Sequence, residues 1–265
     1  MRIMFLNQSP ADPDGGASQQ RIGALLQSYA SPGTEIALHY PDDYAGAGVM
    51  DRLGEENLLN GLHHWMETPA LVKKIVAAAE QGFDAVIQSN TFDPGVEAGR
   101  LAVRIPVIGL FKTALHVAFT LGNRVGVLVP LASHIPYVWR ILDSYGVASR
   151  ITNVSSIGVY GKNLDERRDE IKAIAIREIT ELAEASGSEV IIPLGGALIP
   201  YVVTPEEITP AIGLPVLNTK AIGIAFAELC VRNGLAHSPI AYPSIPLTSA
   251  DVESFAFPKA RSPAP

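Results

Sequence analysis

The chain holds a single cysteine, Cys230, among 265 residues, and only two tryptophans. One thiol cannot close an internal disulfide, so nothing calls for an oxidising compartment, and a mechanism that needs two thiols in one chain is excluded. Positive charge is also scarce: 20 lysines and arginines stand against 27 aspartates and glutamates, a net charge of −7. No Lys/Arg stripe runs along any segment, and aromatics make up 7% of the chain, which argues against a nucleic-acid groove or a polybasic membrane patch. Long apolar runs are missing too. The opening Met1-Arg2-Ile3-Met4-Phe5-Leu6 is too short for a secretion signal and has no small-residue cleavage site. The stretches 105–119 and 125–139 are interrupted by Lys112, His116, His134 and Pro136, short of the ~18 apolar residues of a membrane helix. A cytoplasmic protein with neither membrane nor nucleic-acid partners is expected.

What the chain does have is 48% hydrophobic residues with 18% charged, enough for a sizeable core in one large domain or two lobes. Short Val/Ile-rich runs at Arg2–Leu6, Glu35–His39, 85–88, 107–110, 124–129, 151–154, 190–193 and 215–217 read as strands buried on both faces. Helical periodicity falls between them. One helix is expected to start near Pro69, carry Leu71, Val72, Ile75, Val76 and Ala79, and end at Gly82; others are expected over 164–185 and 219–232, the last stopping at Gly234. The two halves repeat. Arg2-Ile3-Met4-Phe5-Leu6-Asn7 matches the run from Arg124 to Pro130, the run Phe83-Asp84-Ala85-Val86-Ile87 matches Ser188-Glu189-Val190-Ile191-Ile192, and Ile105-Pro106-Val107-Ile108-Gly109 matches Leu214-Pro215-Val216-Leu217-Asn218, in the same order and about 105–125 residues apart. The fold class is α/β: two similar three-layer parallel-sheet lobes related by internal duplication, with a cleft between them where the strands' carboxyl ends meet. Lobe 1 is expected to take residues 1–105 plus about 215–240, lobe 2 residues 106–214, and the Pro- and Ser-rich residues 241–265 a tail that either wraps the surface or serves an oligomer contact.

Three segments together resemble the aspartate/glutamate/hydantoin racemase superfamily, in pattern hydantoin racemase above all. They are Gln88-Ser89-Asn90-Thr91-Phe92-Asp93-Pro94-Gly95 after a strand, Ile105-Pro106-Val107-Ile108-Gly109 followed by His116, and Pro193-Leu194-Gly195-Gly196-Ala197-Leu198. The resemblance implies a mechanism in which one thiolate removes an α-proton from one face while an opposing thiol returns a proton to the other. Gap-free alignment on Asp93-Pro94-Gly95 puts Asn90 in the place of the first cysteine, and Leu194-Gly195 puts Gly196 in the place of the second. An amide and a hydrogen have no titratable proton near neutral pH. The related arylmalonate decarboxylases keep the second cysteine, so Gly196 argues against that reaction as well. Cys230, among Ala225, Phe226, Ala227, Leu229 and Val231 on a helix, reads as a buried structural thiol.

Polar residues remain at the turns after the strands. Asn7, Asn90, Thr91, Gly195, Gly196 and Ala197 are expected to shape the pocket, with Ser133 and Thr219 holding an anionic group unless they simply cap helices. A one-residue slip of the alignment would put Ser89 in the thiol's place, where it makes a weak nucleophile without a base beside it. Acid or base is expected from His63, His64 or His134 as the candidate catalytic residues; His63-His64-Trp65 is read as the segment ahead of the helix near Pro69, and adjacent histidines on regular structure point apart, which disfavours a shared metal. His116 reads as a structural histidine or a cleft residue. No metal-ligand spacing, phosphate loop or dinucleotide glycine pattern occurs, so neither metal nor cofactor is expected. The expectation is a divergent superfamily enzyme acting on a small carboxylate, cyclic amide or lactone without cysteine chemistry, working as a homo-oligomer; the alternative is a non-catalytic binding or sensor protein on the same scaffold.

Overall fold

A computed structural model describes residues 1–11, 16–42, 46–161, 164–195 and 197–253. Two parallel sheets form its frame. The first orders its strands β2-β1-β3-β4, with β1 at Arg2–Leu6, β2 at Glu35–His39, β3 at Ala85–Gln88 and β4 at Val107–Gly109. The second orders them β6-β5-β7, with β5 at Val125–Val129, β6 at Ile151–Ser156 and β7 at Val190–Pro193. Val216 makes a single parallel bridge to Ile191 at the place that β4 occupies in the first sheet, so the two lobes share one topology and the internal duplication is visible in the strand order. The expected strand at 215–217 is thus reduced to one bridge, in which the Ile191 N–H donates to Pro215 and the Leu217 N–H donates to Ile191. β3, β5 and β7 are buried at every residue, as their unbroken apolar runs require, whereas β6 at the sheet edge carries Thr152, Asn153 and Ser155.

Helices cover the sheets: α1 Gly16–Ser28, α2 Gly46–Glu55, α3 Leu62–Glu80 and α4 Val96–Ala102 in the first half; α5 Leu110–Leu121, α6 Ile135–Ser144, α7 Arg168–Ser186 and α8 Pro205–Ile212 in the second; then α9 Thr219–Arg232 and α10 Ser249–Glu253. The lobes exchange one helix each. α5 follows the last strand of the first sheet but packs Phe111, Ala114, Leu115 and Ala118 among Val125, Val127, Val190 and Ile192 of the second lobe. α9 follows the second sheet and returns Ile224, Ala227 and Cys230 to Ile3, Phe5, Ala85 and Ile87 of the first. The sheets therefore divide at 109/110 and again near 217/218, a few residues beyond the expected boundaries of 105/106 and 214/215, since β4 still pairs with β3.

α3 corrects a second expectation. It starts at Leu62, not near Pro69, so His63 and His64 lie in its first turn. Proline in mid-helix removes one i−4 hydrogen bond, and here the residue whose carbonyl loses it, Trp65, is 75% exposed. The tail wraps lobe 1 as far as it is described: His237 Nε2 accepts the Val107 N–H, the Leu247 N–H donates to Ala102, and Val252 of α10 is buried beside the α3 residues Leu71 and Ile75. Among the described residues no helix is long and apolar enough to cross a membrane.

Candidate functional site

The carboxyl ends of both sheets face the seam between the lobes, and the polar turns meet there. Thr91, fully buried after β3, accepts the Gly195 N–H at 2.6 Å, so the two strand-end turns are joined by a hydrogen bond between the lobes. Asn7 directly follows β1; its Oδ1 accepts the Gln8 N–H at 2.8 Å and the Ser89 hydroxyl at 3.3 Å. Asn90 closes an Asx turn by accepting the Phe92 N–H at 2.8 Å, while its own N–H donates to Gln88 Oε1 at 2.5 Å.

That turn fixes the orientation of the Asn90 amide, and the amide fixes a tautomer. With Oδ1 used by Phe92, Nδ2 faces His64 Nε2 at 3.2 Å. Nδ2 can only donate, so Nε2 is the acceptor and the ring proton of neutral His64 sits on Nδ1, which donates to the Tyr137 hydroxyl at 3.3 Å. A relay thus runs from Asn90 through His64 of α3 to Tyr137 of α6, across the seam. The rings of His63 and His64 lie 4.0 Å apart, although neighbours on a helix diverge, and the His134 ring stacks on Phe92 at 5.0 Å. His134 Nδ1 accepts the Leu131 N–H at 3.3 Å, leaving its proton on Nε2. Gly61 lets the cluster close: with φ at +90° it starts α3 in the left-handed region, and a Cβ there would stand 2.7 Å from the Tyr137 ring.

All three histidines are buried, and burial keeps them uncharged, with repulsion from neighbouring imidazoles adding to it at His63 and His64: His63 and His134 are each pulled down to about 4, and His64 falls well below the ordinary range. Burial also pushes Tyr137 up to about 12. His63 Nδ1, Ser133 Oγ and Thr219 Oγ1 are buried without a hydrogen-bond partner, a state proteins rarely leave unexplained away from a binding site. Among the described residues no group of three His, Cys, Asp or Glu side chains is arranged to hold a metal ion.

The remaining sequence candidates are distributed unevenly. Ala197 is exposed beside the turn, Gly196 lies outside the described residues, and His116 is neither interior nor in the cleft; it is exposed on α5 with Nδ1 2.7 Å from the Lys112 carbonyl, beside an outer cavity of about 580 Å³ shared with Cys230 and His237. Sequence reasoning passed over three residues. Tyr137 was hidden in the apolar stripe of α6. Asp93, the acid of the Asp-Pro-Gly motif, is fully desolvated, which pushes its carboxyl up, against two backbone N–H groups and a hydroxyl that favour its charge: Phe111 and Lys112 at 2.9 Å each and Tyr145 at 2.9 Å. Gly109 is what lets it approach, because a Cβ there would meet the carboxylate at 2.7 Å. The third is Lys220, in the first turn of α9 and 1% exposed, whose Nζ donates to the Ser89 carbonyl.

Residues 64–227 match the Asp/Glu/Hydantoin racemase family. The chain belongs to that family. It is 28% identical over 248 residues to the hydantoin racemase of Rhizobium meliloti, a match covering 92% of this chain and 96% of that protein. Among solved structures it resembles the allantoin racemase from Pseudomonas fluorescens, with a TM-score of 0.78 and 25% identity over 92% of this chain and 97% of the other. The allantoin racemase from Klebsiella pneumoniae gives the same TM-score at 22% identity over 94% of each chain. The racemase-family scaffold is therefore shared across nearly the whole length, while the chemistry has to be read from this chain's own side chains.

Proposed function

We propose that this family member is an enzyme that moves a proton at the carbon beside a carbonyl in a small carboxylate, cyclic amide or lactone, without cysteine. The group of neutral imidazoles at the seam carries the reading. His63 presents a buried Nδ1 with no partner, so it is the group that takes or returns the proton, and His134 Nε2–H donates to the developing enolate oxygen, as a neutral imidazole can in a dry site. Asn7, Ser89, Asn90, Ser133 and Thr219 orient the ligand, and the Gly195 turn closes over it. Proton transfer is favoured over hydrolysis because the Ser89 hydroxyl is spent on Asn7 and meets no imidazole, which leaves it unactivated as a nucleophile. Ionisation near 4 makes His63 and His134 weak bases at neutral pH; that observation favours the second reading, a non-catalytic binding protein on the same scaffold.

The test starts with thermal-shift screening of amino acids, hydantoins, dicarboxylates and lactones, followed by proton NMR of each binder in D2O. Deuterium is expected at the α-carbon, with exchange falling ~10²-fold in His63→Gln, the usual scale for losing a general base. Tight binding with no exchange and no ring opening sinks the enzyme reading and leaves the binding protein.

A further inference from the structure

Lys220 has no role in the histidine chemistry above, and its surroundings differ from those of a structural lysine. Its Nζ lies between the aromatic rings of Phe5 and Tyr201, with centroids 5.9 and 5.3 Å away, and its hydrogen-bond partner is the neutral Ser89 carbonyl. No carboxylate among the described residues pairs with it; Asp93 is the charge that acts on it, from a distance. Tyr201 also lines a surface cavity of about 470 Å³ together with Arg21 and Leu25 of α1. Next to Lys220, the Thr219 side chain is 1% exposed with its hydroxyl unpartnered, in a first turn where Asn218 caps only the Ala221 N–H. An anion is the ligand that satisfies such a turn.

We propose that Lys220 is a carbonyl-binding amine: its Nζ, held against the Ser89 carbonyl, forms an imine with a small oxo acid whose carboxylate takes the first turn of α9 beside the Thr219 hydroxyl. The nitrogen lone pair adds to the carbonyl carbon and one N–H proton passes to the oxygen, giving a carbinolamine. Loss of that hydroxyl with the second N–H proton, as water, leaves the C=N bond. The step needs an uncharged amine, and burial lowers Lys220 to about 7, so at neutral pH a large share is free base where an ordinary lysine has about one part in a thousand or less. This site shares Thr219 with the ligand contacts proposed above but uses none of the imidazoles, so it stands if the imidazole reading fails.

The experiment uses the full chain at pH 7 with glyoxylate and cyanoborohydride, which reduces an imine to a stable carboxymethyl-lysine, followed by peptide mapping. Saturable labelling at Lys220, at least ~10-fold faster than at Lys73, Lys74, Lys112 or Lys172, is the expected result, given the difference in free-base fraction. Labelling confined to the surface lysines, or labelling of Lys220 that rises linearly with glyoxylate, overturns the proposal. Mapping the wild-type protein makes this outcome independent of any variant's folding. Thr219→Val separates the carboxylate from the carbonyl: half-saturation by glyoxylate should rise several-fold while labelling by propanal is unchanged, and an equal effect on both aldehydes removes the carboxylate from the proposal.

Discussion

The two exchanged helices begin at equivalent points of the duplicated fold, yet their first turns are built differently. α5 follows Ile105-Pro106-Val107-Ile108-Gly109 and α9 follows Leu214-Pro215-Val216-Leu217-Asn218. Two residues beyond each junction stands Phe111 in one and Lys220 in the other, at 0% and 1% exposure. The start of α5 is closed: the Asp93 carboxylate takes two of its N–H groups, reaches Tyr145 just after α6, and a phenyl ring fills the core behind. The start of α9 is open, with a local Asn218 cap, an unpartnered threonine hydroxyl and a buried amine. Duplication supplied one geometry twice; one copy spends its helix terminus on holding the lobes together and the other leaves it available.

The largest effect should come from breaking the closed start. Asp93→Ala leaves two helix N–H groups and the Tyr145 hydroxyl without their acceptor, and is expected to cost about 3–5 kcal/mol in denaturant unfolding, from three buried donors at about 1–3 kcal/mol each. A loss below about 1 kcal/mol would mean that Asp93 does not hold α5 to the second lobe. Next, Lys220→Met should stabilise the protein by about 1–3 kcal/mol at pH 7, because an apolar side chain replaces a buried amine. Lys220 titrates near 7 in the folded state against 10.5 when free. Between those values the unfolded chain binds more protons, so wild-type stability rises with pH, and the Met variant's advantage should shrink from pH 7 to pH 10.5. Unfolding curves of both proteins across that range check the slope, and parallel curves contradict an amine that is neutral in the fold. The smallest effect is expected at Asn218→Ala, about 1 kcal/mol for a lost N-cap, measured the same way. If it matched Asp93→Ala, the two helix starts would not differ in kind.

Much of the scaffold was legible along the chain. Apolar runs at β1, β2 and β7 coincide with the observed strands to the residue, and the paired segments foretold the matched strand orders of the two sheets. Periodicity also found α9 with both ends in place. It misplaced the start of α3, because Pro69 reads as a first-turn residue, while burial of His63, His64, Leu71 and Ile75 on one side keeps the helix continuous through it. The helix exchange was invisible, since it depends on which sheet each apolar face meets. Asn7, Asn90, Thr91 and Gly195 stand out along the chain because they follow directly on buried strands, and the fold brings their turns together. Tyr137, Asp93 and Lys220 were missed because each looks ordinary in its own segment: an aromatic in an amphipathic helix, a turn aspartate and a helix lysine.

By its composition and repeats the sequence determined a duplicated α/β scaffold and the absence of a thiol pair, since residue counts and periods are properties of the chain itself. The tertiary structure alone decided that three histidines share a buried seam, that one aspartate is spent on a helix start, and that one lysine is cut off from solvent. Those properties depend on desolvation and on atoms from distant segments within a few ångströms of each other, which a linear order of residues does not contain.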